Sequence, residues 1–123
     1  MKSTNSRTRP APRTLIRIGS VRVIRNPLLQ GLGNMLRKQP IRMLFLLPFT
    51  ARHRLDMYFV RTPLDIIVLS EQWQVIEVFT LRPWESRRCD QESRKILELP
   101  AGEAQSLGIT PGSTLEINAT KDI

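Results

Sequence analysis

The stretch Leu64–Leu81, LDIIVLSEQWQVIEVFTL, consists of two apolar runs joined by a polar link. Leu64–Leu69 is short and aliphatic, which favours a strand. Gln74–Leu81 reads the same way, and Ser70-Glu71-Gln72-Trp73 suits the loop of a hairpin. In the second run Val75, Glu77 and Phe79 share one face, and Ile76, Val78 and Thr80 the other. Both faces are largely apolar, so a central strand is expected there.

Toward the C-terminus, Pro83 ends the second run and residues 85–94 (ESRRCDQESR) read as a polar loop. Lys95–Leu99 is a further strand. Pro100 and the segment AGEAQSLG then predict a helical turn, with Glu103 in its first turn and Gly108 as its cap. A turn at Ile109-Thr110-Pro111-Gly112 leads into a last strand, Thr114–Asn118, with Leu115 and Ile117 facing inward.

Toward the N-terminus, Met57–Arg61 reads as a strand and Ala51-Arg52-His53-Arg54 as a basic turn. Met43–Leu47 is a core strand that should stop at Pro48. Leu28–Lys38 places apolar residues at helical spacing, despite Gly31 and Gly33, and predicts a short helix or helical turn ended by Pro40. Leu15–Ile24 (LIRIGSVRVI) is either two strands meeting at Gly19-Ser20 or one bulged strand. Residues 1–14, rich in Arg, Ser, Thr and Pro, form an expected disordered basic tail. Residues 15–120 then make one β-rich domain, a compact barrel or sandwich of about six to eight short strands with one or two short helices.

Charge divides the chain unevenly. Residues 1–55 carry 12 Lys or Arg and no acidic residue, against 7 basic and 11 acidic residues in 56–123, for a net charge of +8. A basic half can draw in nucleic acid, an acidic protein or anionic lipid. Arg7, Arg9, Arg13, Arg17, Arg22 and Arg25 are the candidate contacts for a nucleic acid. The plainer account is a solvated tail with scattered arginines, because no more than two basic residues stand together. The most apolar run, Ile41–Phe49, spans nine residues and contains Arg42 and Pro48, far short of the roughly 20 a bilayer crossing requires. No secretion signal is visible, and a soluble, cytoplasmic protein is expected.

Few residues point to chemistry. Asp65 stands among apolar neighbours, and a buried carboxylate requires a cation or several backbone donors. His53, Arg54 and Arg61 are near in sequence. Asp65 is therefore either a pocket carboxylate or, more simply, a buried pin fixing the strand entry after Pro63. Trp84 follows a strand end, where it could stack on a base or sugar beside Arg82 or, more simply, cover the core. Trp73, at the hairpin tip, is expected to be the more exposed of the two. The single Cys89, among Arg87, Arg88, Asp90 and Glu92, reads as an incidental surface thiol. Glu98 and Glu103 flank a turn. One histidine and one cysteine give no metal-ligand spacing, and no cofactor, phosphate-loop or nucleophile motif occurs.

From Gly33 onward an ordered series of short patterns resembles the family called domain of unknown function 192. Gly33-Asn34-Met35-Leu36-Arg37 is similar to its GLMxR element, and Met43-Leu44-Phe45 to its MLF strand. Met57 followed by Pro63-Leu64-Asp65-Ile66 resembles its M-x5-PLDI element. Leu97–Gly102 with Gly108-Ile109 and Gly112 resembles its closing LELPAG, GI and G-D elements. The pattern's MKNT reads Met57-Tyr58-Phe59-Val60 here, its Gly before MLF is Arg42, and its closing Gly-Asp is Gly112-Ser113. The Phe-Val form, with Leu81-Arg82-Pro83-Trp84, looks like archaeal branches of that family. The resemblance implies a small, mainly β domain and no defined activity. A shorter likeness of residues 99–118 to swapped-hairpin DNA-binding domains is read as convergence on a strand–turn–strand corner.

Three functions are open at this level. A non-catalytic domain binding a small ligand or a protein partner ranks first, with Asp65, His53, Arg61 and Trp84 as candidate polar site residues. A nucleic-acid-associated protein using the basic first half is the second, and an enzyme with a cleft around Asp65 the third.

Overall fold

A computed structural model describes residues 14–25, 34–35 and 37–122. Their chain order is β1 (Leu15–Ile24), β2 (Met43–Ala51), β3 (Arg54–Asp56), β4 (Leu64–Leu69), β5 (Val75–Leu81), β6 (Ser86–Arg88), β7 (Ser93–Pro100), α1 (Glu103–Leu107) and β8 (Thr114–Asp122). Six strands form one sheet in the order β5-β4-β7-β2-β1-β8, and β3 and β6 pair separately. The β1–β2 and β1–β8 pairings are parallel, and the other pairings are antiparallel. The mainly β expectation holds.

The sheet curls into a half-barrel, and backbone bonds draw its ends together. The amide of Val75 donates to the Ser113 carbonyl at 2.7 Å and that of Leu115 to the Trp73 carbonyl at 2.9 Å. One face carries Ile18, Val21, Leu44, Ile67, Leu97 and Leu115, closed by Ala104 of α1 and by Ile109. The other carries Met43, Phe45, Ile66, Val68, Phe79 and Ile96, covered by Met57, Val60 and Cys89. β4 lies between both clusters and all six of its residues are buried, which is why it reads as an unbroken apolar run.

Several local expectations give way. β5 is an edge strand of the sheet, and β4 is the strand buried throughout. β5 is apolar on both sides because Ile76 and Val78 still pack partly against the two cores. Pro48 does not end β2, which runs on to Ala51. The ladder with β7 is interrupted between Leu46 and Ala51, so the missing proline amide falls where no partner is needed. Met57–Arg61 is a turn rather than a strand; Phe59 takes a left-handed backbone (φ 60°) and the Val60 amide donates to the Met57 carbonyl. The strand lies just before it, at Arg54–Asp56, paired with residues 86–88 of the expected loop.

β1 is a single strand whose register with β8 shifts between Ile18 and Val21, with Ser20 at φ 57°. The helix expected over 28–38 falls largely outside the described residues, and its described part, around Asn34 and Met35, is turn and bridge. The expected tail lies outside the described residues except Thr14. No helix among the described residues is long and apolar enough to cross a membrane.

Candidate functional site

Glu98, which in the sequence only flanks a turn, is the polar residue at the centre of the site. It sits on β7 with Ile96 on its own face, directly opposite Met43 of β2 and Ile66 of β4. Its carboxyl therefore projects among apolar side chains, and desolvation pushes it up to about 7, with an opposing pull from the Asn34 hydrogen bond. Asn34 is buried and fully committed. Its side-chain nitrogen donates to Glu98 at 3.3 Å and to the Ile41 carbonyl at 3.2 Å, and its oxygen accepts the Ile41 amide at 2.9 Å. Among the described residues no cation pairs with Glu98.

Glu98 faces a cavity of about 220 Å³ between the sheet and the β3–β6 ribbon. Phe45, Leu47, Leu55, Met57 and Ile96 supply its apolar walls, and His53, Arg54 and Asp56 its remaining polar groups. His53 Nε2 lies 3.0 Å from the Phe49 carbonyl, which fixes the proton on that nitrogen, and the two rings are 5.3 Å apart. The Ser86 hydroxyl donates to Asp56 and Arg54 donates to it at 3.2 Å; the Ser86 bond chiefly holds Asp56 below the usual carboxylate range. Arg54 and Asp56 offset each other, so ionised Glu98 leaves the cavity one negative charge in excess. A larger, more apolar groove of about 470 Å³ lies elsewhere, lined by Leu15, Leu44, Leu46 and Trp73 with Arg25 and Glu116 as its charged groups.

The residues singled out from sequence fall in three places. His53 lines the Glu98 cavity. Arg61 and Trp84 line a shallow depression with Phe59 and Pro83. Asp65 is separate from both: its Oδ1 accepts from the Thr80 hydroxyl at 2.7 Å, and its Oδ2 from the amides of Gly102 and Ala104 at 2.9 and 3.0 Å. Backbone donors at the start of α1 thus partner Asp65, and the nearby arginines do not. Its carboxylate fills the capping role that Gly102 lacks a side chain to perform.

The two tryptophans exchange their expected roles. Trp73 packs against the core with the Lys95 ammonium 4.2 Å above its ring, whereas Trp84 is 60% exposed. Cys89 is no surface thiol: pairing of Ser86–Arg88 with β3 turns it into the core, where it is 1% exposed. Desolvation, reinforced by Glu77, raises its thiol to about 11. Of the arginines proposed for nucleic acid, Arg7, Arg9 and Arg13 lie outside the described residues. Arg17 is exposed and paired with Glu116 at 3.0 Å, Arg22 is partly buried, and Arg25 borders the apolar groove.

The patterns that carried the family resemblance converge on this cavity. Phe45, Met57 and Glu98 come from three of them and line it, and Asn34, from a fourth, holds Glu98. A model of the DUF192 family, described as uncharacterized ACR, matches residues 11–117. A UPF0127 protein of Pyrococcus furiosus is 31% identical over 100 residues, covering 80% of this chain and 86% of that one. One from Pyrococcus abyssi is 29% identical over the same coverage. Among solved structures, a candidate transcription regulator from Sinorhizobium meliloti matches with a TM-score of 0.70 at 24% identity, covering 75% of this chain and 76% of that one. A protein of unknown function from Novosphingobium aromaticivorans matches with a TM-score of 0.63 at 26% identity, covering 75% and 70%. The first of these likenesses speaks to the fold alone. The chain belongs to the domain of unknown function 192 family.

Proposed function

We propose that this protein is a small-ligand-binding domain whose site is the cavity at Glu98, and that its ligand is a small organic cation with an apolar body. The observation that carries this reading is an acidic group in a cavity of mixed lining, flanked by apolar walls and with an amide, Asn34, as its side-chain partner. An isolated carboxylate in such surroundings is costly, and a ligand ammonium would relieve that cost by supplying charge and donors together. The walls formed by Phe45, Leu55 and Ile96 suit a short aliphatic or single-ring body. The other polar groups of the cavity wall are already engaged, His53 with the Phe49 carbonyl and Asp56 with Ser86 and Arg54, which favours binding over turnover.

The test is a matched pair of probes, 2-phenylethylamine and 2-phenylethanol, followed by thermal unfolding near pH 8. A ligand at about 100 times its Kd adds about 2.7 kcal/mol to stability, a shift of several degrees for a domain of this size. The amine should raise the melting temperature more than the alcohol, and Glu98→Gln should remove the difference. Equal responses to amine and alcohol in the native protein would dismiss the cation reading.

A further inference from the structure

We propose that the end of the β3–β6 ribbon is a second binding surface, and that it takes single-stranded nucleic acid. Tyr58, Phe59 and Trp84 are 44%, 53% and 60% exposed and lie together. The Trp84 ring centre is 5.9 Å from that of Tyr58 and 4.9 Å from that of Phe59, in a tilted and an edge-on arrangement. Three large rings gathered in solvent require a partner more than they serve the core. Beside them is a concave depression of about 420 Å³, lined by Phe59, Val60, Arg61, Pro83 and Trp84, into which a flat group can stack.

The backbone holds these rings in place. Phe59 and Trp84 both take left-handed conformations, φ 60° and 69°, which bulky side chains rarely adopt. The Met57 carbonyl fixes both loops by accepting the amides of Val60 at 3.3 Å and of Trp84 at 2.9 Å. Met57 is itself buried in the core, so the aromatic cluster stands on a rigid footing.

Charge selects the occupant. Arg61 and Arg82 are exposed beside the rings, and among the described residues no carboxylate pairs with either guanidinium. Glu85, the one acidic residue of the two loops, accepts the Arg82 amide at 2.7 Å. The ribbon behind them sets Arg54 opposite Arg88, and of the two only Arg54 has a carboxylate partner, Asp56 at 3.2 Å, among the described residues. Arg88 is satisfied by the Arg52 carbonyl, which leaves its charge uncancelled. Rings that stack, flanked by arginines that meet phosphates, form the arrangement that binds unpaired bases irrespective of sequence.

The test uses the full chain and a labelled oligothymidylate of about 20 nucleotides, read by fluorescence anisotropy at about 50 mM salt. Binding should weaken steeply as salt rises. Trp84→Ala should reduce affinity about tenfold or more, as expected when one base is deprived of its stacking ring. Arg61→Gln with Arg82→Gln, both exposed and outside the core, should weaken binding and flatten the salt dependence by about 0.7 for each phosphate left without its arginine. Circular dichroism checks that these variants retain the fold. No binding by the native chain overturns the proposal, as does binding unchanged by both variants or abolished by removing residues 1–13 alone. Vesicles of phosphatidylserine are the control surface. Sedimentation with them, without oligonucleotide binding, would assign the patch to a membrane and overturn the proposal equally.

Discussion

The side-chain amide of Asn34 donates to the Glu98 carboxyl at 3.3 Å, joining positions 64 residues apart. That bond and the surrounding apolar walls act in opposite senses on the same proton. Burial prevails, and the carboxyl titrates at about 7. The folded chain therefore holds a proton on Glu98 between roughly pH 4.5 and 7 that the unfolded chain has released. Stability contributed by this group is complete below that window and falls as pH rises through it. Glu98→Gln, which keeps the shape without the charge, should match the native protein near pH 4 and exceed its stability by about 3 kcal/mol near pH 8. Urea unfolding at the two pH values measures this, and a constant difference between variant and native protein would refute it.

Asp65 should behave as a structural group. It accepts one hydroxyl and two backbone amides, and its removal leaves the start of α1 without acceptors. Asp65→Asn should cost about 1–3 kcal/mol and Thr80→Val about 1 kcal/mol, both read by urea midpoint. A stable Asp65→Asn protein would show that the amides of Gly102 and Ala104 find other acceptors at little cost.

Cys89 should be slow to react. With its thiol buried and raised to about 11, a water-soluble disulfide reagent near pH 8 should label the native protein only as fast as the fold opens, and the urea-unfolded chain at once. Rapid stoichiometric labelling of the native protein would place the thiol in solvent.

The parts of the fold legible in the sequence are those that local chemistry decides. The β4–β5 hairpin follows from two apolar runs around a four-residue polar link. The helical turn follows from its flanking residues, with Gly108 left-handed at its end. What was not legible depends on pairing across the chain. Ser86–Arg88 is too short and too polar to declare itself a strand until β3 lies beside it, and Cys89 is buried only because that pairing forms. β5 reads as central because Ile76 and Val78 pack partly against the cores from the face opposite Val75 and Phe79, although one of its edges lacks a neighbour in the sheet.

The candidate site was half legible for the same reason. His53 stood out as the one histidine, while Glu98 was passed over as a residue beside a turn. The signal was present: Glu98 lies in Ile96-Leu97-Glu98-Leu99, as surrounded by apolar residues as Asp65 is. The sequence does not show that one of these carboxylates meets backbone donors at the edge of an open depression and the other stands in a cavity without such donors. That difference is set by α1 packing against Asp65 and by the β3–β6 ribbon standing over Glu98.

The central claim, that Glu98 is a ligand-facing carboxyl poised near neutrality, is tested most directly by its own titration. Carbon-detected NMR of the Glu98 side-chain carboxyl, assigned by its loss in Glu98→Gln, should give a midpoint of about 7 in the free protein. With saturating 2-phenylethylamine the midpoint should fall by at least about one unit, because a bound ammonium favours the ionised form. A midpoint near the ordinary glutamate value in the free protein, or one that the amine leaves unmoved, would contradict the account.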